Sequence, residues 1–437
     1  MTAYNKEEKQ NRLLRYLSGG VSPYHVVANC VSDLEAAGYE ALAMGEPWEL
    51  REHGRYYINF HGTTLAAFAL PDKKRLLPGE GKPVLRIACA HTDFPCLRIK
   101  PHADLRSDGY HRLNAEVYGG AILNTWLDRP LGIAGRVMAS SDQVFSPREL
   151  LFDTKRPVVT IPNLAIHMNR EVNKGLELNK QTDMIPLFGM AQEKSSFATN
   201  LAEWLAVEKE DLLDYDLTVY TAEEPQILGA GEEFISAPRI DNISSVAAIM
   251  EALCGGDESG GEALRMAVFF DHEEIGSRSK QGALSVFLTD VVEKIYESLG
   301  YSRRDARDAI YRGMMLSVDV AHGLHPNHPE KEDVTNRPLL TKGFCIKEAA
   351  SQSYATDCAA VSIVEQLAAE AGVPVQKFVN RSDMPGGSTL GALTGALLPM
   401  KTVDLGIPIL AMHSARELMG AEDFASLTGL LRTFFTS

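Results

Sequence analysis

The chain has 437 residues, room for two or three domains or for one large α/β domain carrying an insertion. Its 45% hydrophobic content is that of a packed globular protein, and no stretch approaches the roughly 18–20 apolar residues of a membrane helix. A formal charge of −15 without a basic tract argues against nucleic acid and anionic membrane as partners, because neutralising phosphates needs clustered Lys and Arg.

The stretch Met1–Arg15 is polar and charged, unlike the apolar core of a secretory signal. Six scattered cysteines (Cys30, Cys89, Cys96, Cys254, Cys345, Cys358) form no CxxC pair, which argues against a thiolate zinc site and a disulfide framework. A soluble protein of a reducing compartment, the cytoplasm, is expected.

In chain order, Leu85–Ala90 is an apolar run that predicts a buried strand leading into His91. From about Pro101 to Glu233 short strand-like runs (Leu131–Val137, Val158–Ile161, Leu217–Tyr220) are separated by charged and Pro-bearing loops. The rest alternates strands and helices. Leu264–Phe270 predicts a buried strand, Ser285–Leu299 a helix stopped at Gly300, and Met314–Val318 a strand. Asp357–Ala371 follows as a helix, Val375–Val379 and Ile407–Met412 as strands, and Glu417–Phe435 as a closing helix. Such alternation implies an α/β protein with a mostly parallel central sheet covered on both faces. The predicted organisation is an α/β domain in two parts, 1–100 and 234–437, interrupted by a β-rich domain at 101–233.

Chemistry-bearing residues cluster where predicted strands end, the place at which open α/β sheets build their sites. His91-Thr92-Asp93, Asp241-Asn242, Asp271-His272-Glu273-Glu274 and Ser317-Val318-Asp319 hold such positions, and His413 follows the last strand. Two His with several carboxylates suit zinc, manganese or cobalt better than calcium. Asp93 is placed to hold the second ring nitrogen of His91. Adjacent carboxylates repel unless a cation compensates them, so in a metal site Glu274 would be a ligand and Glu273 the acceptor of a water proton. Each motif alone has a plainer interpretation. HxD pairs are common on surfaces, EE pairs are mostly solvated turns, and Asp241 precedes an apolar-periodic run as a helix N-cap would. The metal reading rests on the set. No GxSxG elbow is present, and GGSTLG at Gly386–Gly391 lacks both GK[ST] and GxGxxG.

Several longer segments point further: SPYHVVANCVSDLEAAGY, RYYINFHGTTLAAFAL, HTDFPCLRIKP, YGGAILNTWLDRPLGIAGRV, IPNLAIHMNR, APRIDN, DHEEIGSRS, SVDVAHG, RPLLTKGFCIK, NRSDMPGGSTLG and GIPILAMHSARE. In this order they resemble the aspartyl aminopeptidase family, the M18 metallopeptidases, over essentially the whole chain. The strings NTWLDRP and MPGGST differ from forms common in the family, and neither carries a proposed ligand. The resemblance implies two divalent ions, zinc in the family manner, with Mn2+ or Co2+ as alternatives. His91 and Asp319 would hold one, Glu274 and His413 the other, and Asp241 would bridge them. Glu273 would be the general base and Asp93 would orient His91. His322, Lys347 and Tyr354 would contact substrate, and His167 of the inserted domain would help complete the site, within or across subunits. The inserted domain would mediate dimerisation, with dimers assembling into a tetrahedral dodecamer. The implied reaction is removal of N-terminal Asp or Glu from peptides, Lys347 pairing with the acidic side chain. A broad-specificity aminopeptidase or deacylase with the same ligands is the alternative, and a non-enzymatic assembly protein a more remote one.

Overall fold

The computed structural model describes residues 3–71, 83–192, 196–255, 263–384 and 386–437. Met1 and Thr2 of the polar N-terminal stretch and Pro385 of the MPGGST string lie outside the described residues.

A nine-stranded sheet organises the chain. Its middle is four adjacent parallel strands, Ala263–Phe270, Val84–His91, Met314–Val318 and Lys401–Gly406. Arg55–Phe60 and Thr64–Ala69 form an antiparallel hairpin on one side, bounded by the short Glu40–Ala41. Phe344–Glu348 and Val375–Val379 complete the other side, the former antiparallel to Lys401–Gly406. Five of the eight neighbouring pairs are parallel, as the alternation of elements implied.

Strand side chains alternate between two faces, and each face has its own core. Leu85, Ile87 and Cys89 pack with the helices Phe287–Ser298 and Arg303–Arg312. Ala88 and Ala90 face the opposite core, built on helices Ile240–Cys254, Cys358–Ala371 and Asp423–Thr436 and the N-terminal pair Ala3–Gly19 and Pro23–Ala36. Burial on both faces is why LRMAVFF reads as a continuous apolar run rather than an alternating one. Helix Cys358–Ala371 begins at Asp357, whose side chain accepts from Ala360 N, and ends at Gly372 in the left-handed region, as a capped helix should.

A second sheet of six antiparallel strands runs in the order Arg148–Asp153, Leu131–Ala139, Leu212–Thr221, Cys96–Ser107, Tyr110–Tyr118, Leu187–Met190. It departs from the nine-stranded sheet just after His91. A third, five-stranded sheet joins Gln226–Leu228, Phe234–Ala237, Glu417–Gly420, Pro408–Leu410 and Ala321–His322.

Several expected elements differ. Val158–Ile161 forms only two isolated bridges, Leu131 with Val159 and Thr160 with Leu187. The strand expected over Ile407–Met412 is shortened to Pro408–Leu410. The closing helix starts at Asp423, and Glu417–Gly420 before it is a strand of the third sheet. Asp241 is not a helix N-cap. Arg239, at φ +61°, holds that position, and Asp241 lies within the first turn with non-helical torsions.

Strands Met314–Val318 and Lys401–Gly406 approach so closely at their ends that a Cβ on Gly406 would sit 1.4 Å from the Asp319 carbonyl oxygen. Backbone cannot yield as a flexible side chain does. Gly406→Ala is therefore expected to lower stability by at least about 2 kcal/mol, an overpacking cost. A urea midpoint equal to that of the wild type would contradict it.

Candidate metal centre

Three of the central parallel strands end side by side, so the residues that follow them share one edge of the sheet. His91 closes its strand and is fully buried. After Phe270 the chain turns through His272 at φ +64° into a short 3-10 turn, Glu273–Ile275, which presents both glutamates. Asp319 follows Val318. Two further groups come from elsewhere. Asp241 enters at the start of helix Ile240–Cys254, across a cis Asp241–Asn242 bond, and His413 from the loop after Pro408–Leu410.

The start of the Asp241 helix is tied down on several sides. Arg239 donates to the carbonyls of Leu17 and Thr221 and lies between the rings of Phe94 and Tyr220. Burial lowers its pKa to about 10. Asn242 donates to the carbonyl of Val318, and Asp241 N to Glu417 Oε2.

Asp241 stands between the two imidazoles. Its Oδ1 is 3.4 Å from His91 Nε2 and its Oδ2 is 3.4 Å from His413 Nε2. His91 Nε2 also faces Asp319 Oδ1 at 3.6 Å and Glu273 Oε2 at 4.0 Å, and His413 Nε2 faces Glu274 Oε2 at 3.4 Å. Two triads share Asp241, His91–Asp241–Asp319 and Asp241–Glu274–His413, and a third, His91–Glu273–Glu274, overlaps them, each with one atom per residue within 4.8 Å of the others.

Asp93 acts mainly on the backbone. Its oxygens accept from Glu273 N at 3.0 Å and Glu274 N at 3.1 Å, and from the Tyr118 hydroxyl at 2.6 Å. His91 Nδ1 lies nearer the Asp93 carbonyl, at 3.0 Å, than its carboxylate, at 3.4 Å. Lys347 is buried and donates to Asp319 Oδ2 at 3.2 Å and to the carbonyl of Val320 at 3.0 Å.

So many acids in one buried place strain each other's ionisation. Burial, with Asp319, Asp93 and Asp241 nearby, pushes Glu273 up to about 8, although His91 opposes it. Burial and Asp241 hold Glu274 well above the usual carboxylate range. Burial alone would lower both imidazoles, yet the facing carboxylates prevail, raising His91 strongly and His413 to about 10. Two buried acceptors, Asp241 Oδ1 and Glu274 Oε1, have no hydrogen-bond partner among the described residues. Orphaned carboxylate oxygens opposite neutralisable imidazoles fit a divalent cation with mixed N and O ligands.

The centre opens into a cleft of about 300 Å³ lined by His91, Asp241, Glu273, Asp319, His322, Lys347, Tyr354, Phe378 and His413. Tyr354 is buried with its ring 5.2 Å from Lys347 Nζ, and His322 stands on the wall 5.7 Å from the Phe378 ring. His167 is not brought into this cleft. It is exposed in a loop of the inserted segment, between the exposed Ile166 and Met168.

Glu417 was missed by sequence reasoning, being assigned to a helix. Buried in a strand, it accepts from the backbone N–H of Asp241 and of His413, fixing both triads with one carboxylate. An acid four residues after His413 in an apolar setting was the available signal. Burial and the Asp241 charge raise its pKa to about 8.

A sequence model of the aminopeptidase I zinc metalloprotease (M18) family matches residues 16–435. The chain belongs to the M18 family of aminopeptidases. A probable M18 family aminopeptidase 2 of Clostridium novyi (strain NT) is 41% identical over 426 residues, 96% of each chain. Among solved structures, a chain of the cryo-EM Ape4–Nbr1 complex superposes with a TM-score of 0.94 at 32% identity, covering 99% of this chain and 86% of the other. The S. cerevisiae mApe1 dodecamer gives 0.84 at 26% identity, covering 99% and 97%. This M18 aminopeptidase has no helix long and apolar enough to cross a membrane among its described residues, and its six cysteines are free.

His413→Ala is expected to lower the zinc retained after dialysis, read by ICP-MS. Full occupancy in that variant would put the ligand elsewhere.

Proposed function

We propose that this M18 aminopeptidase works with two divalent cations, zinc by the family's description, and removes N-terminal acidic residues from peptides. One observation carries the two-ion reading: the two oxygens of Asp241 face two different imidazoles, each 3.4 Å away, with a second carboxylate completing each triad. His91 and Asp319 would hold one ion, Glu274 and His413 the other, with Asp241 common to both. When bound, such ions supply Lewis acidity that lowers the pKa of water and polarises a carbonyl.

The chain's own residues supply the rest. Glu273 borders the cleft and belongs to neither Asp241 triad, and its Oε2, 4.0 Å from His91 Nε2, is the oxygen that would take the proton of the attacking water and pass it to the leaving amine. Asp93 holds the backbone of the Glu273–Glu274 turn through two N–H bonds, which keeps the base aimed at the cleft. A free α-amine would be held by the carboxylates of the centre, which would make the enzyme an exopeptidase.

Lys347 is the cation that reads an acidic first side chain, with His322 and Tyr354 on the same cleft wall. Burial would weaken its charge, but Asp319 outweighs that effect and raises its pKa. Once Asp319 gives its charge to a cation, the Lys347 ammonium is left facing the cleft without a full counter-charge. A neutral substrate would leave it so, which is the source of discrimination.

The inserted sheet serves as the dimerisation domain of a homo-oligomer, a dodecamer as in the yeast relative of similar fold. Exposed Leu164, Ile166 and Met168 beside His167 support its action across a subunit contact.

Glu273→Gln should keep its metal and lose turnover by about 10²-fold or more. Normal hydrolysis of Asp-p-nitroanilide by that variant would remove Glu273 as the base. Lys347→Met should depress kcat/KM for Asp- and Glu-p-nitroanilide far more than for Leu and Ala. An equal loss on all four would leave the peptidase and discard the acidic preference.

A further inference from the structure

The two triads are not equally supported by the catalytic sheet. His91 ends a central strand and its side chain is 1% exposed, whereas His413 lies on a loop, at φ +67°, with a side chain 31% exposed. A ligand on a loop needs other groups to fix its ring. The inserted sheet supplies them where its strand Tyr110–Tyr118 runs out toward the centre.

We infer that Tyr118, Gly119 and Gly120 are positioning residues for the Glu274–His413 half of the centre, so that the inserted sheet governs how one of the two ions is held. The inference rests on the two-ion reading. The carbonyl of Gly120 accepts from His413 Nδ1 at 3.2 Å, which fixes the tautomer and aims Nε2 at Asp241 and Glu274. Two further bonds clasp the same loop: Ile122 N donates to the His413 carbonyl, and Ala415 N donates to Thr125 Oγ1.

A side chain at either glycine would crowd a candidate ligand. A Cβ on Gly120 would lie 3.1 Å from His413 Nδ1, and one on Gly119, at φ +73°, would lie 3.2 Å from the Glu274 Cβ. Tyr118 acts one step back. Its hydroxyl donates to Asp93 Oδ2, the oxygen that accepts from Glu274 N. His91 lies off that bond, because its Nδ1 is nearest the Asp93 carbonyl and faces the other carboxylate oxygen, Oδ1, at 3.4 Å. The effects of Tyr118, Gly119 and Gly120 therefore converge on Glu274 and His413.

The test is zinc titration of metal-depleted full-length protein against a competing chelator, for the wild type, Gly120→Ala and Tyr118→Phe, with a thermal melt of each metal-free chain as the folding control. The wild type should bind two equivalents. Each variant should keep one at wild-type affinity and lose about 10- to 100-fold on the other, with Tyr118→Phe preserving the ring and the fold. Wild-type affinity for both ions in both variants would reduce the segment to ordinary packing and overturn the inference. Equal weakening of both ions would also overturn it, by showing support for the whole centre. A wild-type chain that binds fewer than two equivalents would overturn the two-ion reading itself.

Discussion

Everything in this molecule converges on Asp241, a buried carboxylate that must serve two imidazoles at once. Burying one charge is costly, and here Asp93, Glu273, Glu274 and Asp319 are crowded around it, with the Lys347 ammonium beside Asp319. The raised pKa values of Glu273 and Glu274 express that unresolved repulsion. A proton or a cation placed among the acids relieves it, and the orphaned oxygens of Asp241 and Glu274 fit the cation.

The fold meets this demand from three directions. The central sheet contributes His91, the Glu273–Glu274 turn and Asp319 because its parallel strands end together. Helix Ile240–Cys254 contributes Asp241, anchored by Arg239 to the N-terminal helix and to the inserted sheet. The third sheet contributes His413 and, through Glu417, locks that loop to Asp241. Burial matters here as geometry: a ligand at the end of a strand packed on both faces has little freedom left to lose.

Much of this could be read from the residues. Apolar runs ending in acids or His placed the three central strands, because a strand buried on both faces has to be apolar throughout. Lys401–Gly406 escaped notice although it lies in the same sheet. Its Asp404 breaks the apolar pattern, and only the structure shows that this carboxylate is buried and satisfied by Ala355 N and Thr389 Oγ1. Glu417 was misplaced because the strong helical period after Asp423 was extended backward over a short strand. The Tyr118–Gly120 support was invisible for another reason: a carbonyl oxygen that accepts from a ligand carries no signature in residue type. His167 lies away from the cleft, in an exposed loop.

The order in which ligands occur along the chain has a consequence for biosynthesis. His91, Asp241, Glu273, Glu274 and Asp319 are translated well before His413 and Glu417. Chains emerge from the ribosome N-terminus first, and long-range contacts form late. A nascent chain therefore holds an incomplete set of candidate ligands until His413 has been made, and the Glu417 bonds that tie the His413 loop to Asp241 form later still.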